Sequence, residues 1–261
     1  MNDKRYMKAL REGKPIECAG LTFYPIKMSD WDAFIETRPA VTQMMQSLPA
    51  AYISLPYLAA LWAIDIDAIE NNMPVTGLFG TLMRFMTLAL RTADEETPFQ
   101  IFVEKDTQRL AYVRFFQNGR TADITPLIFS TEIRPLLCEQ NGLELPDEAA
   151  NLELLEAEKE IAELNDEGID FNPETLVSSV AYMSHVTEEE IYENWTVRSF
   201  MRRKEAIDRE LCYRLYRTAA LAGTIKTDGN NPFPSWCFDR RIKGTTSALV
   251  SPDGIVSGFG S

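Results

Sequence analysis

The chain is poor in the residues that most often do chemistry. Of 261 residues one is histidine, His185, and four are cysteines, Cys18, Cys138, Cys212 and Cys237, spread far apart. No CxxC or CxH spacing occurs, which removes the usual zinc frameworks. Dispersed thiols suit a reducing cytoplasm. No GxSxG, HExxH, GxxxxGK[ST] or EF-hand loop is present. His185 sits between Ser184 and Val186 at a helix start, where a solvated or hydrogen-bonded imidazole is the ordinary outcome. Glu156 and Glu160 lie four apart, as metal-binding carboxylates can, but no histidine motif accompanies them and a solvated helix face is the simpler reading. The sequence therefore points away from an enzyme, and implies no metal and no cofactor.

Positive charge is also scarce. Twenty-six lysines and arginines face 39 aspartates and glutamates, a formal charge of −13. Net acidity opposes association with a polyanion and argues against nucleic acid as a partner. Long apolar runs are missing too. The most apolar stretch, AAYISLPYLAALWAI at 50–64, is broken by Pro56 and followed by Asp65 and Asp67. It is shorter than the ~20 residues that cross a bilayer, and the first residues have no apolar stretch of signal-peptide length. A soluble protein is expected. With 45% hydrophobic and 10% aromatic residues, there is ample material for a core.

The pattern along the chain predicts an α+β fold, predominantly helical. PIECAGLTFYPI at 15–26 predicts two short strands around the turn Ala19-Gly20. A helix follows, with Ser29 as its expected N-cap and Pro39 as its end. Leu58, Leu61, Trp62, Ile66 and Ile69, then Leu78, Leu82, Phe85, Met86 and Leu90, recur at spacings of three and four. They predict a helical hairpin across the loop Asn71-Asn72-Met73-Pro74, its apolar face either core or a client-binding groove. FQIFVE and LAYVRFF, with turns at Lys105-Asp106-Thr107 and Asn118-Gly119, predict a small antiparallel β-meander. Thr131 to Gln140 predicts a helix with Pro135 early in it or breaking it, stopped at Asn141-Gly142.

The second half is divided by charge. From Glu144 to Glu193 there are sixteen acidic side chains and one lysine. An acidic helix is expected over 147–167, then a linker at 165–174. Thr187-Glu188-Glu189-Glu190 is a capping-box sequence. A long helix is expected from about Trp195 to Leu221, ending at Gly223, with Val197, Phe200, Met201, Ile207, Leu211, Leu215 and Ala219 along one stripe. It carries seven cations, Arg202, Arg203 and Lys204 consecutively among them, against three carboxylates. A helix-turn-helix at 174–210 fits the order of elements, but the glutamates ahead of it would repel phosphate. The tail is polar and expected to be flexible, apart from the island NPFPSWCFDRR at 231–241. Phe233, Trp236 and Phe238 there are either a clasp onto the body or a docking patch. Four parts result: an α+β region over 1–142, an acidic helix and linker over 143–173, a helical region over 174–223 and a tail over 224–261.

Three stretches, FYPIKMSDWDAF, IRPLLCEQNGLELPDEAANLELLEAEKEI and WTVRSFMRRKEAIDRELCYRLYRTAALAGTIKTDGNNPFPSW, together resemble proteins of tailed bacteriophages and prophages of Gram-positive bacteria. Among these the sequence looks most like the tail assembly chaperones. The resemblance implies a non-catalytic assembly factor that coats the tape measure protein and brings tail tube subunits to it. It would act in the cytoplasm of the bacterial host and be absent from the finished virion. A structural tail component, or a DNA-binding regulator, is the alternative. No residue role follows from the resemblance. The partner-binding candidates Phe233, Trp236, Phe238, Arg202, Arg203 and Lys204 rest on clustering and charge alone.

Overall fold

In a computed structural model of the chain, residues 4–151 and 172–223 are described, with 157, 160 and 161 besides. The fold is mixed α+β, mainly helical, with a small antiparallel meander. The chain divides into two units between Lys204 and Glu205.

The first unit opens with helix α1 (Lys4–Glu12) and the hairpin β1 (Ile16–Cys18) and β2 (Leu21–Phe23). Ala19 and Gly20 both have positive φ, 49° and 81°, the backbone that joins two twisted strands by a two-residue turn. A 3-10 turn (Met28–Asp30) then leads into α2 (Trp31–Thr37), and α3 (Pro39–Thr42) follows. The expectation that Ser29 caps this helix fails. Ser29 lies inside the 3-10 turn, and no side chain bonds the helix start. Pro39 ends α2 as expected and also starts α3, where its missing N–H costs nothing.

Helices α4 (Tyr57–Glu70) and α5 (Leu78–Leu90) pack on each other, and α5 also meets α2, α3 and β2. Leu58, Leu61, Leu82, Phe85, Met86 and Leu90 are all buried. The apolar face of this pair is therefore core. Ile69 lies beyond it, exposed at the end of α4. The start of α5 is capped from across the loop. Gly77, at its N-cap, has no side chain to offer, and the buried Asp65 accepts from Thr76 Oγ1 at 2.6 Å, Gly77 N at 3.1 Å and Phe79 N at 3.3 Å. A carboxylate suits the unpaired amides of a helix N-terminus.

Strands β3 (Phe99–Val103), β4 (Leu110–Gln117) and β5 (Arg120–Ile124) form the meander in that order. Val113, Phe115 and Gln117 alternate inward. A bulge opposite Phe102 and Val103 shifts the register, so Leu110 is buried as well although it lies three residues from Val113. On the other face Phe102 stacks on Tyr112 at 4.6 Å, and Arg114 bonds Asp123 through two nitrogens.

The helix expected over 131–140 begins earlier. Thr125 caps α6 (Pro126–Ile128), a π-helical turn covers Phe129–Ile133, and α7 (Arg134–Asn141) ends at left-handed Gly142. Pro135 has no N–H for the regular ladder and falls just after the π-turn, where its loss is absorbed.

Asn172 caps α8 (Pro173–Ser184), Thr187 caps α9 (Glu188–Asn194), and α10 (Val197–Leu221) is the long helix. The capping box is only half made. Thr187 accepts from the Glu190 amide, but Glu190 takes Asn194 instead of reaching back. Trp195, expected near the helix start, is extended, and its carbonyl accepts from Met28 N, while Val197 N donates to Ile26 O. These bonds tie the start of α10 to the residues after β2. Trp31 continues the tie, edge-on to Phe200 at 5.6 Å and tilted against Phe34 at 6.0 Å. Most of the expected acidic helix lies outside the described residues, as does Glu156. Glu160 is exposed.

Candidate functional site

Three buried amide side chains and one buried arginine hold the frame on which the exposed sites sit. Strand β2 has only β1 beside it, so its outer backbone groups need other partners. Gln117 accepts from Thr22 N at 2.8 Å and donates to Thr22 O at 2.7 Å and Leu90 O at 2.8 Å. Gln140 donates to Phe23 O at 3.0 Å, and Asn141 accepts from Ile26 N at 2.9 Å. Arg134, 5% exposed, donates to Val41 O at 2.9 Å, Gln43 O at 2.5 Å and Glu148 at 3.2 Å, with its guanidinium 3.7 Å above the Tyr57 ring. Val41 and Gln43 lie at the end of α3, where carbonyls have lost their helical partners. All four are scaffold.

Histidine and cysteine chemistry is not assembled among the described residues. No group of three or more His, Cys, Asp or Glu side chains that could hold a metal occurs there. His185 ends α8 in a left-handed conformation, exposed, its N–H bonded to Tyr182 O. Burial, and then Glu132, push the Cys18 thiol up to about 11. Burial likewise lifts Cys138 to about 11. Both are poor nucleophiles at neutral pH.

Of the residues singled out by sequence, Arg202 and Arg203 are exposed on α10 and Lys204 is half-buried. Consecutive positions on a helix turn by about 100° each, so the three do not make one patch. Arg203 lies over Trp195 at 5.7 Å. Arg202 joins a different group. With Arg198 and Ser199 it lines a hollow of about 260 Å³, whose other wall is Leu10, Arg11, Glu12 and Gly13 at the end of α1. A second hollow along α1, lined by Lys4, Met7, Lys8, Arg11 and Glu12, adjoins it. Arg198 donates to Glu139 O at 2.6 Å and Tyr6 to the Glu139 carboxylate at 2.5 Å, fixing α1 and α10 on the end of α7. Burial, and next the Arg202 charge, pull the Arg198 guanidinium below its ordinary range. Sequence reasoning missed α1. Its signal was present in KRYMKALRE, four cations in nine residues of an acidic chain.

The second unit is described over residues 205–223. Leu211, Leu215 and Leu221 on α10 are 46%, 73% and 83% exposed. The expected stripe is thus buried at Val197 and Phe200 and open further along. Arg214 and Glu210 pair on this segment, and Cys212 is an exposed free thiol. Phe233, Trp236 and Phe238 lie outside the described residues.

No family model matches the chain, and neither a curated protein nor a solved structure matches it. Among the described residues no helix is long and apolar enough to cross a membrane.

Proposed function

We propose that this chain is a non-catalytic tail assembly chaperone of a tailed bacteriophage or prophage, binding tape measure or tail tube protein during tail growth. It would act in the host cytoplasm and be left out of the virion. The resemblance of its three stretches to such proteins motivates the reading. The observation that carries it is the exposure of Leu211 and Leu215, four residues apart and so on one face of α10. Apolar side chains four apart on an exposed helix face suit a helical client in a groove or a helix pair.

Co-expression with the tape measure and tail tube proteins of the same phage tests this. The expected result is a soluble complex with one of them that is lost in a Leu211→Glu/Leu215→Glu variant. Failure to recover either, with the chain folded, would overturn the reading. Recovery of the chain from purified virions would assign it to the tail structure instead.

A further inference from the structure

We propose that the groove between α1 and the start of α10 docks a carboxylate-rich polypeptide segment of the client. This deepens the client-binding reading and rests on it. In a chain of formal charge −13, Lys4, Lys8, Arg11, Arg198 and Arg202 line two adjoining hollows that share Arg11 and Glu12. The carboxylates facing them are already engaged. Glu12 bonds Lys14 at 2.6 Å and Lys8 at 3.7 Å, and Glu139 takes the Tyr6 hydroxyl. The side chains of Lys4, Arg11 and Arg202 make no hydrogen bond or ion pair among the described residues. Like charges gathered this way repel one another unless an anion joins them.

The chemistry of that anion follows from the surroundings. Guanidinium groups bind carboxylates through paired N–H donors, and Arg11, Arg198 and Arg202 sit around one hollow. Exposed Met7 and the buried Leu10 give the groove an apolar edge, which a polypeptide can use and a bare ion cannot. A nucleic acid is disfavoured, because its charge extends beyond the groove into the field of an acidic chain. A short acidic segment meets only the local positive field.

The test uses the full chain and a fluorescein-labelled octaglutamate peptide, followed by anisotropy at low salt. An octathymidylate oligonucleotide serves as the comparison. Saturable peptide binding is expected, at least about tenfold weaker in Arg11→Glu/Arg202→Glu, two exposed positions whose reversal should leave the circular dichroism unchanged. An Arg84→Glu/Arg120→Glu variant makes the same change in net charge elsewhere on the surface and should bind like the parent. Equal weakening in both variants, or no saturable binding, overturns the proposal. So does tighter binding of the oligonucleotide, which would assign the groove to nucleic acid. Binding that emerges only after Glu153, Glu156, Glu158 and Glu160 are changed to Gln would assign the groove to the chain's own acidic stretch, and overturns it too. Capture of the tape measure or tail tube protein is measured on the same variants. Capture that persists when peptide binding fails sinks the groove and spares the chaperone reading. Loss of capture in the parent chain sinks the chaperone reading itself.

Discussion

Arg134 and Glu148 join across 3.2 Å, the arginine side chain 6% exposed and the glutamate 38%. The pair closes the segment that follows α7 back onto the body. Glu148 also accepts from Met45 N at 2.8 Å, and its carbonyl accepts from Gln46. The burden is unequal. Removing Arg134 leaves the buried Val41 carbonyl and the part-buried Gln43 carbonyl without their donor, whereas a glutamine at 148 keeps an acceptor for Met45. Arg134→Ala should therefore cost about 3 kcal/mol or more, and Glu148→Gln about 1 kcal/mol. Urea denaturation of the two variants checks the order, and a larger loss for Glu148→Gln would contradict it.

Asp65 supplies the cap that Gly77 cannot. Asp65→Ala leaves the amides of Gly77 and Phe79 without their acceptor and should cost about 1–2 kcal/mol. Asp65→Asn keeps an acceptor oxygen and should lose less, since only the charge at the helix start is gone. Thermal unfolding of both reads the difference.

How much of this was legible in advance depended on distance along the chain. Ala19-Gly20, Asn118-Gly119 and Asn141-Gly142 are local signals, and each marks a turn or a helix stop with positive φ at the expected residues, the last at Gly142. The helix ending at Gly223 was readable for the same reason. Arg134 was not. Beside Pro135 it looks like any surface arginine, and its partners at Val41 and Gln43 are 93 and 91 residues away. Gln117 is equally ordinary in sequence, and becomes structural only because β2, 95 residues earlier, has an open edge. Ser29 shows the converse. A good local cap signal lost to a 3-10 turn fixed by Met28 N on Trp195 O. The basic stretch of α1 was legible in KRYMKALRE, but the groove was not, because Arg11 and Arg202 that line it together lie far apart in the chain.

The thiols separate by burial. Cys18 and Cys138 remain protonated at pH 8, since both are lifted to about 11, and Cys212 is exposed. In a Cys237→Ser background, a thiol-directed disulfide reagent at pH 8 should label Cys212 rapidly and the other two only on unfolding. Burial of the two neutral thiols ties the stability of the fold to pH. The unfolded chain ionises its thiols first, near pH 8.5, so this contribution to stability is lost as pH rises from there towards 11. Rapid labelling of three thiols in the folded protein would contradict the burial.

Phe200 and Leu215 lie on one helix under opposite demands. Phe200 is fully buried against Trp31, and Leu215 is 73% exposed. Phe200→Ala removes a core ring and should cost about 3–5 kcal/mol. Leu215→Ala removes nothing the described fold depends on and should stay within about 0.5 kcal/mol. If the open stretch of α10 holds a client, the ranking inverts for binding. Leu215→Ala then weakens capture of the client at unchanged stability, because the side chain is buried only in the complex. A Leu215→Ala chain that is destabilised, yet captures its client as the parent does, would mean that the leucine serves the fold and the binding face lies elsewhere.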